Sequence, residues 1–204
     1  INARRWNTER AVRWIKRSMG EPEYPLKIDG KKWTPAELSS FILRKLKQDS
    51  AQQIGDVRDA VITVPAHFDE VRRKATKDAA KMADLDILAI VNEPTAAALY
   101  YAVTHDVAGR VLVFDLGGGT FDVTLLDLEG RNVDILCSRG HHKLGGYDFD
   151  QRLVERFARI YAEEMGGALF RTAEEKPRIE DEAEDIKRSL SKRTRQRHLL
   201  RGTT

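Results

Sequence analysis

Apolar residues recur along the chain with periods that change from segment to segment, and those changes mark out the elements. Residues 8–19 place Val12, Ile15 and Met19 at helical spacing with Arg and Lys between them, which predicts a short amphipathic helix ended by Gly20 and Pro22. Tyr24 to Trp33 reads as two short extended pieces around Asp29-Gly30, a dipeptide suited to a tight hairpin turn. Thr34-Pro35-Ala36-Glu37 then forms a capping box with proline at the first helical position, opening a helix whose apolar residues are Leu38, Phe41, Ile42 and Leu46.

Asp59 to Val64 is rich in β-branched residues and stops at Pro65, the pattern of a buried strand that delivers a loop at its C-terminal end. A helix is expected from about Asp69 to Ala83, a short strand over Ile87 to Val91, and an alanine-rich helix from Pro94 to Val103. Strand-helix alternation of this kind predicts an α/β sheet with helices on its faces and ligands beyond the strand C-termini. The texture changes at Arg110. Val111 to Leu116, Phe121 to Leu128 and Asn132 to Ser138 are strand-like runs separated by Gly117-Gly118-Gly119 and Glu129-Gly130, an antiparallel meander with glycine turns. Gly145-Gly146 precedes a helix from about Asp148 to Met165, Gly166-Gly167 breaks it, and Glu180 to Leu190 is a charged final helix. No repeat recurs at a fixed period.

Composition narrows the class. The chain has 204 residues, 41% hydrophobic and 33% charged, a balance that fits a globular protein rather than a collagen-like or disordered one. The longest apolar run, Ala96 to Val103, falls far short of the ~20 residues that cross a bilayer. Cys137 has no second cysteine to bridge to, which makes a reducing, cytoplasmic setting the default. Residue 1 is Ile, no leader pattern follows it, and the start reads as cut. The net charge of +3 is misleading about partners: Lys187, Arg188, Lys192, Arg193, Arg195, Arg197 and Arg201 crowd the end, and the other 28 basic residues face 32 acidic ones. A polyanion-binding role would rest on that end alone. It lacks interleaved aromatics for base stacking, so nucleic acid ranks last among partners.

The densest chemical signal is Asp115-Leu-Gly-Gly-Gly-Thr-Phe-Asp122 between two strands. Consecutive glycines let main-chain N–H groups approach an anion without side-chain interference, and Thr120 adds a hydroxyl. Asp115 and Asp122 at the rim suit a hydrated magnesium ion or an oriented water. An acid-flanked hairpin turn is the plainer alternative. No Walker A loop is present, and strand rather than helix follows the glycines, which disfavours a dinucleotide fingerprint.

Five segments in order, Val61-Ile-Thr-Val-Pro-Ala, Ala75-Thr-Lys-Asp-Ala, Asn92-Glu-Pro-Thr-Ala-Ala-Ala, Phe114-Asp-Leu-Gly-Gly-Gly-Thr-Phe-Asp-Val and Leu144-Gly-Gly-Tyr-Asp-Phe-Asp, resemble the nucleotide-binding domain of the DnaK-type 70-kDa heat-shock protein family. The resemblance runs from about Arg10 to Ser191. It implies an α/β, actin-like (ribonuclease H-like) ATPase domain fragment in two lobes, incomplete at both ends: a lobe I portion over 1–108, a lobe II portion over 109–191 and a basic, disordered or aberrant tail over 192–204. It also implies a chaperone that binds and hydrolyses ATP with Mg²⁺, K⁺ being a further candidate ion, and releases ADP.

By the same resemblance, Lys16 reaches the γ-phosphate and steadies the attacking water, and Glu93 faces the magnesium and its waters. Asp115 and Asp122 orient water around the ion, Thr120 is a γ-phosphate donor, and Gly117, Gly118 and Gly119 contribute backbone contacts. Gly145 and Gly146 form a second glycine pair at the nucleotide, and Glu184, Lys187, Arg188 and Ser191 share the helix face placed against adenosine. Pro65 and Arg73 are linked to nucleotide sensing. His67 stands where the family usually has tyrosine, and Tyr147 where it usually has an acid. His67, His141 and His142 read from spacing alone as surface or loop histidines. A first phosphate loop would precede residue 1 and an adenine-closing segment would follow residue 204, so weaker nucleotide affinity than an intact domain is expected. Partners implied for the parent are a J-domain co-chaperone, a nucleotide exchange factor and unfolded client peptides, without a membrane. The alternatives are an actin-like small-molecule kinase fragment and an inactive truncated homologue.

Overall fold

The structure, a computed structural model, describes residues 10–105, 107–130, 132–172 and 175–197. Its elements are α1 (Pro35–Ile54), β1 (Asp59–Val64), α2 (Glu70–Met82), β2 (Asp86–Asn92), α3 (Glu93–His105), β3 (Gly109–Leu116), β4 (Phe121–Glu129), β5 (Asn132–His141), α4 (Gly146–Met165) and α5 (Lys176–Leu190). They fall into two compact units, one spanning 12–143 and the other 1–11 with 144–204.

Within the 12–143 unit the local signals act as expected at most boundaries. Thr34 Oγ1 accepts from Glu37 N at 3.1 Å while the Glu37 carboxylate accepts from Thr34 N at 2.8 Å, a closed capping box that starts α1. Asp69 caps α2 by accepting from Arg72 N at 2.9 Å. The Asp29-Gly30 turn has both residues in the left-handed region, φ 53° and 74°, as a type I′ turn requires, but it closes only one bridge, Ile28 to Lys31.

The predicted helix over 8–19 does not form among its described residues. Ile15–Ser18 forms a 3-10 turn instead, with Trp14 before it at φ 59°, a strained value for a bulky side chain. Tertiary partners explain the loss, because Lys16 and Arg17 both point into the body of the unit, as described below. Strand β1 is also less covered than its β-branched run implies. Its residues alternate between exposed and partly covered, and only Val64 is buried.

β1 and β2 pair in parallel, and α2 connects them. Ala80, Ala83 and Leu85 form the core beside this pair with Leu43, Ile62 and Ile87 packed around it. The meander is a three-stranded antiparallel sheet in the order β3-β4-β5. Strict alternation along β4 buries Asp122, Thr124, Leu126 and Leu128 on one face, where Leu126 and Leu128 meet Ala98 and Ala102 of α3. The opposite face leaves Leu112 and Phe114 of β3 exposed.

The second unit packs α4 on α5 through Val154, Leu169, Ile179 and Ala183. α5 begins at Lys176, one turn before the charged run that suggested it. Residues 198–204, the end of the basic tail, lie outside the described residues. Among the described residues no helix is long and apolar enough to cross a membrane.

Candidate functional site

The glycine hairpin joins β3 to β4 at the end of the meander. Gly117 N donates to Thr120 O at 3.0 Å and closes the turn, so that amide is committed to the backbone. The amides of Gly118 and Gly119 have no main-chain acceptor among the described residues. Register sets Asp115 directly opposite Asp122 across the β3–β4 ladder. Two carboxylates opposed on one face of a ladder repel, which favours cations or strong donors close by. Thr120 and Asp122 are buried beside the hairpin.

The 3-10 turn brings the cations. Arg17 Nε donates to Gly119 O at 2.8 Å, and its neighbour Lys16 donates from Nζ to both Glu93 oxygens at 2.8 and 2.9 Å. Glu93 opens α3 where β2 ends, so a helix N-terminus and a strand terminus deliver it together. Trp14 lies against the hairpin: a Cβ added at Gly118 would come within 2.8 Å of a Trp14 ring carbon. Absence of side chains at Gly118 and Gly119 is what lets this segment approach so closely. Arg73 of α2 donates to Phe68 O at 2.9 Å and to Asn92 Oδ1 at 2.7 Å, tying the loop after β1 to the end of β2. It is a structural clamp rather than a solvated helix charge. Pro65 is buried in that loop.

His67 lies in the loop after β1, in line with the reading from spacing, but it is not a surface residue: Nδ1 lies 2.9 Å from Asp122 Oδ1, and the ring is largely covered. His141 and His142 are exposed, as expected. Burial, followed by the charges of Arg72 and Lys143, lowers the His142 pKa. No group of three or more metal-ligating side chains occurs among the described residues. Three residues at the hairpin were not anticipated. Trp14 and Arg17 flank the predicted Lys16, and Gly140, paired with Asp122 across the ladder, stands in a strand where a lone glycine marks a close approach.

The second unit brings together Gly146, Lys187 and Asp150. Lys187 Nζ lies 2.7 Å from the buried Asp150 carboxylate and donates to Gly146 O at 2.9 Å, which pins the start of α4 to α5. Desolvation raises the Asp150 pKa, with Lys187 opposing the shift. Glu184 and Arg188 pair along α5 at 3.6 Å, and Ser191 Oγ donates to Lys187 O at 3.4 Å at its end. Gly145 is buried just before α4.

Fold and site together define a class of mixed helix–strand proteins whose glycine hairpin is edged by opposed carboxylates and contacted by an arginine. Comparison narrows the class to one family. The family model described as Hsp70 protein matches residues 5–203, and the chain belongs to the Hsp70 family. Chaperone protein DnaK of Thermotoga neapolitana and that of Thermotoga petrophila are each 45% identical to it over 189 residues, 91% of this chain and 31% of the relative. The chain therefore spans about a third of the length of these curated relatives.

Proposed function

We propose that the 12–143 unit supplies the terminal-phosphate side of an ATP site in an actin-like nucleotide-binding domain, and that the parent protein is an ATP-hydrolysing chaperone. The observation that supports this most is the glycine hairpin with Asp115 facing Asp122 at its base and Arg17 bound to Gly119 O, Arg17 being next to the Lys16 that holds Glu93, while the Gly118 and Gly119 amides have no main-chain acceptor among the described residues. The donor set fits the group: amides and cations for phosphate oxygens, and carboxylates for the waters of a magnesium ion. The Trp14 ring sits beside Gly118, so entry requires it to move aside.

When bound, Mg-ATP brings an electrophilic phosphorus and an ion that neutralises charge on its oxygens. Lys16, released from Glu93, offers its ammonium to the γ-phosphate and to a water in line with it. Glu93 and Asp115 accept hydrogen bonds from waters on the metal side. Asp122 orients the attacking water, and Thr120 donates its hydroxyl. Positioning and charge placement carry such chemistry, with no covalent intermediate on the protein. By the family resemblance, Glu184, Lys187, Arg188 and Ser191 of the second unit form the adenosine-facing set and Gly145-Gly146 the second glycine contact. The lobe boundary near residue 108, a J-domain partner, an exchange factor, unfolded clients and a cytoplasmic location belong to the same proposal for the parent.

Thermal unfolding with millimolar Mg-ATP tests it. Stabilisation is expected, ~2.7 kcal/mol when nucleotide reaches ~100 times its Kd, and Lys16→Ala and Asp115→Asn should weaken it. Unchanged unfolding in Mg-ATP, or an equal shift in both variants, would overturn the assignment.

A further inference from the structure

Asp122 is 2% exposed and directly opposes Asp115, a poor environment for a carboxylate without a donor. His67, on the loop after β1, supplies one at 2.9 Å through Nδ1. An ionised carboxylate only accepts, so the pairing with Asp122 calls for the Nδ1–H tautomer, with Nε2 left bare, rather than the reverse. The environment of Nε2 agrees, since it is buried with no hydrogen-bond partner among the described residues. An orphaned lone pair is tolerated more readily there than an orphaned N–H. The ring is held on its other sides by Phe68, edge-on at 5.8 Å between centroids, and by His142 at 6.3 Å. Beneath it, Gly140 has no side chain: a Cβ there would overlap Asp122 Oδ1 and lie 3.0 Å from His67 Nδ1.

We propose that His67, locked as the Nδ1–H tautomer over Gly140, is a positioning residue that aims the Asp122 carboxylate at the glycine hairpin. Its consequence for turnover rests on the ATP reading above. Nitrogen-15 imidazole NMR on the whole chain tests the pairing directly. A protonated Nδ1 and a bare Nε2 are expected for His67, with reversion to the Nε2–H form in Asp122→Ala. Single-turnover hydrolysis of Mg-ATP tests the aim. His67→Phe should lower the rate by roughly tenfold with affinity little changed, and His67→Asn, which returns an N–H donor near the Nδ1 position, should recover most of it. An Nε2–H signature in the unmodified chain, or a His67→Phe variant of unaltered rate, overturns the proposal. An Asp122-dependent Nδ1–H signal in a chain that binds no ATP upholds the pairing and sinks the nucleotide reading instead.

Discussion

One missing methyl group at Gly140 decides how β5, Asp122 and His67 fit together. Gly140→Ala should destabilise the 12–143 unit by about 1–3 kcal/mol, because the neighbours are a carboxylate and a main-chain oxygen that cannot simply swing away. Urea denaturation checks this. In the second unit, Lys187→Met would leave Asp150 without its cation and should cost roughly 2–3 kcal/mol, less than for a fully buried pair because Lys187 keeps some solvent contact. Asp150 also sets a pH dependence. Its folded pKa is raised, so its contribution is complete below the ordinary aspartate range and is lost as pH rises through the raised value. Asp150→Asn should flatten the fall in the urea midpoint above pH ~4. None of these couplings was legible in advance, since each joins residues distant in sequence. His67 gave no sign of its partner in the sequence, because the nearby acids Asp69 and Glu70 open α2 and the carboxylate it meets, Asp122, is 55 residues away.

Elements with strong end signals formed where expected. Proline at N1 and the Thr34–Glu37 exchange mark the start of α1 by chemistry that acts within four residues and owes nothing to the rest of the fold. Thr34→Ala should therefore cost about 1 kcal/mol in denaturation experiments. The hydrogen bonds from Thr34 lower the Glu37 pKa, so this contribution is present above the ordinary glutamate range and disappears as pH falls through the lowered value. The segment before Met19 failed for the opposite reason. It has helical spacing, but long-range contacts of Lys16 with Glu93 and Arg17 with Gly119 outweigh a helix too short to hold itself.

Across the whole molecule, apolar surface is left open. Leu112 and Phe114 are 61% and 63% exposed on the outer face of the meander, with Phe114 against Phe121 at 4.9 Å. A contiguous patch of that kind binds hydrophobic dyes and promotes association. Phe114→Ser should reduce dye fluorescence and light scattering at high protein concentration while leaving the unfolding midpoint nearly unchanged.

Sequence by itself determined the order and type of nearly every element, the glycine hairpin with its flanking acids, and membership of the family, because caps, alternation and glycine turns act over a few residues. Only the tertiary structure decided that Lys16 grips Glu93, that Arg17 and Trp14 close on the hairpin, and that His67 holds Asp122. The hydrogen-bonded pairs among these join residues 55 to 102 positions apart, and no local period encodes which distant partner a side chain meets once the strands are in register.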